Sequence, residues 1–429
     1  MNEWRRVALR HVSTHIKDGT HGTHRRVESG IPLLSAKNVG RRGRLEWDKS
    51  DDLISESDYA ALTSTFAPKA GDLLLTVVGS IGRSAVFDGS RVAFQRSVAF
   101  VRSSDAVLPC YLFQASCSED FSRQLERRCN VTAQAGLYLG ELAKISIPLP
   151  PKQQQQKIAT ILTSIDTAIE KTEALIAKYE QIKAGLMHDL FTRGVLPNGQ
   201  PRPPREQAPD LYQETAIGWI PRGWTLQRLD NVADVIDPNP SHRNPIYHPA
   251  GFPFISTVEF IESDEVETNT PRRVVEEIVE EQERRCQFTR SSIGFSRKGT
   301  IGEIRFLPVG IRFALLDSLC VINPKTISAS YLFHSLRSDC LTRQSKNMTM
   351  GQALPQVSIG RVRDLLVPTP DSSEQIFIEN RFDAVMTAIK KQSANEKKLR
   401  QQKIGLMQDL LTGKVEVKLN KEPTGFADG

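Results

Sequence analysis

Four histidines, His11, His15, His21 and His24, fall within fourteen residues near the start of the chain. Imidazole is a common metal ligand, so the cluster raises a zinc site as one reading. Zinc also requires set geometry and usually cysteine or carboxylate ligands nearby. This group instead sits in a basic, turn-forming stretch. A polar loop that touches phosphates or base edges is the better reading, and an ordinary surface loop is the plain alternative. No Ser/His/Asp arrangement is visible, because four of the eight histidines lie in this one loop. Gly79-Ser80-Ile81-Gly82 lacks the G-K-[ST] continuation of a phosphate-cradling loop. Asn244-Pro245-Ile246-Tyr247 lacks the second proline of the loop with which adenine methyltransferases hold a flipped amine. The six cysteines, Cys110, Cys117, Cys129, Cys286, Cys320 and Cys340, form no C-x-x-C pair and read as reduced, mostly buried thiols.

What the sequence does supply is cations. Residues 1–44 hold ten Lys/Arg against three Asp/Glu, and residues 45–58 then hold six acids and one lysine. The whole chain is only +6, so the local density matters more than the total. A patch of this kind is a footprint for a polyanion, with a solvated loop as the alternative.

The elements that must position these groups occur twice. Lys183 to Thr192 (KAGLMHDLFT) returns as Lys403 to Thr412 (KIGLMQDLLT), 220 residues later. The same offset carries Trp4 to Trp224, Ser80-Ile81-Gly82 to Thr300-Ile301-Gly302 and Tyr111-Leu112-Phe113 to Tyr331-Leu332-Phe333. It also carries Gln155 to Gln375 and Ala168-Ile169 to Ala388-Ile389. A period this long means two copies of a multi-element unit, not a solenoid.

In each copy, residues 1–150 and 221–370, short apolar or alternating runs such as LLLTVVG and FALLDSLCVI lie between Gly, Pro, Asp and Asn. They read as strands and turns, with helices over 111–128 and 331–344. Residues 151–193 and 371–413 each read as one helix of about 40 residues, some 60 Å long. Its apolar positions are Ile158, Leu162, Ile165, Ile169, Ile176, Tyr179, Leu186 and Leu190 in the first copy. In the second they are Ile378, Phe382, Val385, Ile389, Leu399, Leu406 and Leu410. The four-three spacing is a heptad seam, and two such helices in one chain are each other's natural antiparallel partners. Residues 194–220 are rich in Pro, Gly and charge and read as a linker; 414–429 read as a polar tail. The fold class is therefore α+β: two globular domains in tandem pseudo-repeat, separated by two long helices that pair as an antiparallel coiled coil. Gly185 and Gly405 inside the helices predict close helix packing there, since glycine in a helix costs about 1 kcal/mol against alanine.

Length suggests about three domains. With 39% apolar and 25% charged residues the composition is that of an ordinary globular protein. No apolar run is long enough for a membrane span, and the N-terminus lacks a signal-peptide core, so a cytoplasmic location is expected.

Taken together, the motifs resemble the specificity subunit of a type I restriction–modification system. Asp18-Gly19-Thr20-His21 resembles the D-G-T-H loop at the start of a target recognition domain, and Gly30 to Val39 the strand after it. Gly71-Asp72-Leu73-Leu74 with Gly79 to Gly82 resembles the G-D-[IL]-L…G-x-I-G segment, and Ser296 to Gly302 is its copy. Ile147 to Pro151 with Gln155 resembles the junction into the helical spacer. The second domain departs by offering Asp237-Pro238-Asn239-Pro240-Ser241-His242 in place of D-G-T-H.

The resemblance implies that each domain reads half of a bipartite site in double-stranded DNA. The helices would set the spacing and dock two methyltransferase subunits, and restriction subunits would join through that core. It also implies that this chain catalyses nothing and binds no metal or cofactor. S-adenosylmethionine, ATP and Mg would belong to the partners. Candidate phosphate contacts are Lys17, Arg25, Arg26, Arg41, Arg42 and Arg44. Candidate base readers are His21, Lys37, Ser80, Arg83, Arg96 and Gln134 in the first domain. In the second they are His242, Arg243, Arg297, Lys298, Thr300, Lys346 and Gln352. The seam positions and the KxGLMxDL ends are expected to carry subunit contacts. Two other classes remain open: a degenerate methyltransferase or nuclease, against which the missing motifs count, and a stand-alone DNA-binding regulator or coiled-coil scaffold.

Overall fold

The computed structural model describes residues 4–40, 43–129, 136–240, 245–261, 264–348 and 355–418. The chain divides into two compact units, residues 1–174 with 393–429, and residues 175–392. Both are built on the same plan.

Unit 1 is organised around a four-stranded antiparallel sheet in the order Ser13–Asp18, Val98–Ser103, Leu73–Thr76, Ser84–Val86. Leu73, Leu74 and Leu75 are all fully buried, although successive side chains on a strand point to opposite faces. Both faces are covered. Leu73 and Leu75 enter the core that holds the helices, while Leu74 enters a second core with Phe87, Phe94 and Phe100. This explains why the strand reads as a continuous apolar run. A three-stranded sheet (Leu53–Ile54, Ile31–Leu34, Ala93–Phe94) and the pair Arg6–Ala8 with Ser146–Pro148 complete it. Unit 2 repeats the layout with Ala233–Ile236, Leu319–Pro324, Ile293–Ser296 and Ile304–Phe306.

The helix expected over 111–128 is two helices, Pro109–Ser116 and Glu119–Arg128. Ser118 breaks the run because its side chain accepts the amide of Phe121 and caps the second helix. The copy breaks in the same place, into Ala329–Leu336 and Asp339–Asn347.

The two long helices are Lys152–Thr192 and Ser372–Thr412, 41 residues each. In unit 1, Ile158, Ala159 and Leu162 from the start of the first share one core with Leu410 and Leu411 from the end of the second. Lys403 Nζ lies 2.6 Å from Asp166 Oδ1, and Arg400 pairs with Glu173. Rising numbers on one helix meet falling numbers on the other, so the pairing is antiparallel. In unit 2 the end of the first helix meets the start of the second, with Phe191 and Phe382 ring centroids 5.9 Å apart.

The segment 194–220 is folded against unit 2. It contains the hairpin Tyr212–Thr215 with Gly218–Pro221 and closes on buried Glu374. That carboxylate accepts from Val195 N at 2.7 Å, from Trp224 Nε1 at 3.0 Å and from both terminal nitrogens of Arg202. A buried charge tolerates its loss of water only with such a full set of donors.

Gly185 and Gly405 meet no packed neighbour: a Cβ built on either enters open space. This overturns the expectation of close helix packing there within the chain. The thiols are free, but only Cys286 and Cys320 are buried. Burial pushes both thiols up to about 12.

Candidate nucleic-acid interface

In unit 1 the chemistry-bearing residues converge at one end of the four-stranded sheet. The strand Ser13–Asp18 ends there, and the chain after it is stitched to the approach to the strand Val98–Ser103. Gly19 N donates to Val98 O at 3.0 Å, Thr20 N to Phe94 O at 2.8 Å, and Arg96 N to Thr20 O at 3.0 Å. A Cβ on Gly19 would lie 2.2 Å from Phe94 O, so only glycine permits this approach. His21 Nε2 lies 2.8 Å from Asp18 Oδ2, and His24 Nε2 lies 2.8 Å from Thr20 Oγ1. The D-G-T-H sequence is thus a turn that presents His21 to solvent. His11 and His15 bond their neighbours Arg10 and Thr14. Among the described residues no three His, Cys, Asp or Glu side chains gather as a metal site.

The same sheet end carries the turn after Leu73–Thr76. Gly82 N donates to Thr76 O at 3.0 Å, Arg83 N to Thr76 Oγ1 at 2.9 Å, and Thr76 Oγ1 to Ser80 O. Gly79 and Gly82 both have positive φ, 79° and 92°, which explains the G-x-x-G spacing. Ser80 is exposed at the tip. Unit 2 builds the same turn from Gly299 and Gly302, with Thr300 exposed.

Asp72, beside Gly71, faces the core side of this architecture. Arg102 Nε and Nη2 donate to its two oxygens at 2.9 and 2.8 Å. In unit 2 the same pairing is neutral, Ser292 Oγ to Asn323 Oδ1 at 2.7 Å. The G-D-[IL]-L segment therefore fixes the strand and offers no exposed group.

The expected residues separate into distinct groups. Lys17, His21, Arg25, Ser80 and Arg96 are exposed, and Arg83 is half-buried. His21, Ser80, Arg83 and Arg96 lie at the sheet end. Arg26 is held by Asp52 at 2.8 Å, Lys37 by Asp51 at 2.7 Å and Arg44 by Glu170 at 3.1 Å. The acidic run 45–58 thus folds back on part of the basic patch. Hydrogen bonds from Asn38 and Lys37 hold the Asp51 carboxyl at about 2.

In unit 2, Thr300 and Lys346 are exposed. Lys298 is paired with Asp317. Arg297 does not fit its expected role: it is 3% exposed, out of reach of a base edge, and donates to Asp237 Oδ2 at 3.0 Å. Arg41, Arg42, Gln134, His242, Arg243 and Gln352 lie outside the described residues.

The seam positions are also corrected. Ile158, Leu162, Ile169, Leu190, Ile378, Phe382, Ile389 and Leu410 are buried within the chain, so they have no surface left for another subunit. Ile165, Ile176, Tyr179, Leu186, Val385, Leu399 and Leu406 are half-buried. The large exposed apolar side chains of the long helices are Ile182, Ile376, Phe377 and Ile404. These sit off the seam, which is why a search for the heptad missed them.

A chain that carries one sheet-based domain twice, each with its polar turns at the same sheet end, belongs to a definite class. The sequence profile of the type I restriction modification DNA specificity domain matches residues 28–181 and again 221–399, and the chain belongs to that family. The type I restriction enzyme MjaIX specificity subunit of Methanocaldococcus jannaschii is 22% identical over 342 residues, covering 79% of this chain and 76% of that protein. The fold is that of the type I restriction–modification S subunit from M. genitalium: TM-score 0.59, 14% identity, 95% of this chain and 96% of that one covered. A chain from a structure titled for complex assembly and conformational transition of the type I R-M system aligns at TM-score 0.55 with 15% identity, covering 97% and 99%. No helix among the described residues is long and apolar enough to cross a membrane.

Proposed function

We propose that this chain is the DNA-reading subunit of a type I restriction–modification complex. Unit 1 and unit 2 each read one half of a two-part site in double-stranded DNA, and the paired helices set the unread gap between the halves. The observation that carries this reading is the duplicated sheet end. One backbone scaffold presents different side chains in the two units, as two different half-sites require. Exposed Lys17 and Arg25 supply phosphate contacts, and residues at the turns supply base contacts.

Two methyltransferase subunits dock on the long helices, where Ile182, Ile376, Phe377 and Ile404 offer apolar surface, and restriction subunits join that assembly. The chain itself performs no catalysis. S-adenosylmethionine, ATP and Mg are held by the partners, and the complex works in the cytoplasm.

The test is co-purification with a type I methyltransferase subunit from the same organism, followed by adenine methylation mapping at base resolution. A complex of one chain with two partners, methylating a two-part motif with a fixed gap, is expected. Replacing residues 221–370 by those of a relative should change only one half. DNA binding with no complex and no methylation would favour a stand-alone regulator.

A further inference from the structure

At the sheet end of unit 1 an open cleft of about 520 Å³ is lined by Asp18, His21, Val77, Val78, Arg96 and residues 136–140. Tyr138 stands on its rim and is 70% exposed, more than any other Phe, Tyr or Trp among the described residues. Leaving an aromatic ring in water forgoes the burial that normally drives such side chains inward.

The ring is not on a slack loop. On one side Leu137 is buried and its amide donates to Val77 O at 2.8 Å. On the other, Tyr138 O accepts from Glu141 N and Leu142 N, each at 2.9 Å. Across the cleft, Arg96 is exposed, and its guanidinium has no ion pair or hydrogen bond among the described residues. His21 is held in place by Asp18.

The matching place in unit 2 is built differently. Asp237 and Asp317 stand where unit 1 has Asp18 and Arg96. Arg297 and Lys298 stand where it has Val77 and Val78, and Ser358 replaces Tyr138. All four charges there are mutually paired, and Ser358 caps its own helix. Among the described residues, this place in unit 2 shows no free cation beside an exposed ring.

We propose that this cleft is a base-reading site of unit 1, with Tyr138 as a specificity-determining residue that sequence motifs do not mark. Arg96 offers its planar fork to the O6 and N7 edge of a guanine. The Tyr138 ring lies against the next base pair and favours a thymine methyl. The proposal rests on the DNA-reading function above.

The experiment uses the full complex with the methyltransferase partner on a DNA library randomised over both half-sites, with methylation read at base resolution. Arg96→Gln should relax a guanine requirement by about tenfold or more at one position of the unit 1 half. Tyr138→Ala should relax a neighbouring position by several-fold, whereas Tyr138→Phe should not. The unit 2 half must stay unchanged in all variants, which reports intact assembly. An unaltered unit 1 half in both Arg96→Gln and Tyr138→Ala, with the wild type reading a two-part motif, would overturn the cleft assignment. Loss of all methylation in Tyr138→Phe and Arg96→Lys as well would show a structural role and also overturn it. A wild-type complex with no two-part motif would remove the underlying function instead.

Discussion

Units 1 and 2 share a backbone at the sheet end yet distribute charge in opposite ways. Unit 1 has an apolar wall, Val77 and Val78, and leaves Arg96 unpaired among the described residues. Unit 2 turns that wall into Arg297 and Lys298 and pairs them with Asp237 and Asp317. The same contrast recurs away from the surface, where the Asp72–Arg102 ion pair of one unit is the Ser292–Asn323 hydrogen bond of the other. The duplicated scaffold tolerates either solution because the strands and turns are held by backbone bonds and apolar burial. Side-chain polarity at these places is free to diverge.

The comparison can be broken most forcefully at Glu374. Glu374→Ala strands the Arg202 guanidinium in a site where it is only 12% exposed. The expected loss is about 3–5 kcal/mol in unit 2. The counterpart in unit 1 is Gln154, whose side-chain oxygen has no partner among the described residues. Gln154→Ala should therefore cost about 1 kcal/mol. Denaturant unfolding of the two variants measures the difference.

A second asymmetry is titratable. Burial, reinforced by the Arg337 charge, pushes the His334 imidazole down to about 4, and its ring stacks on Phe382 with centroids 4.4 Å apart. A histidine whose folded pKa is depressed gives stability that is full above its unfolded value of 6.5. That stability is lost as pH falls from there to about 4, by about 3 kcal/mol in total. Unit 1 has Gln114 at this place, bonded to Asp166 at 3.0 Å. Unfolding monitored from pH 7 to pH 4 should show unit 2 weakening first, and His334→Gln should flatten that dependence.

Arg297→Met should lower stability by about 1–3 kcal/mol, because Asp237 loses its partner in a largely dry site. Arg96→Met should shift stability by less than about 0.5 kcal/mol. Equal thermal shifts in the two would erase the distinction drawn between them. An effect of the opposite sign is expected at the helix glycines. Gly185→Ala and Gly405→Ala each enter open space and should stabilise the isolated chain by up to about 1 kcal/mol.

Much of the fold was legible. The 220-residue repeat revealed two tandem copies, and the heptad spacing placed both long helices within one residue of their ends. What escaped was contact between distant segments. Nothing in local spacing says that Arg297 will meet Asp237 60 residues away, or that the acidic run 45–58 will fold onto Lys37 and Arg26. The break at Ser118 was readable as a cap, but the apolar periodicity on either side masked it. Tyr138 was missed because a lone aromatic in a sequence is most often a core residue, and only its surroundings reveal the contrary.

The interleaving of the helix ends has a consequence for biosynthesis. Unit 2 is one unbroken stretch, residues 175–392, and can complete its core as soon as that stretch has left the ribosome. Unit 1 cannot, because Leu410, Leu411 and Val417 belong to its core and Trp4 Nε1 donates to Leu410 O at 3.1 Å. The domain synthesised first is thus finished last. Its nascent apolar surface must wait for nearly the whole chain to be translated, a window in which association with another nascent chain competes with self-closure.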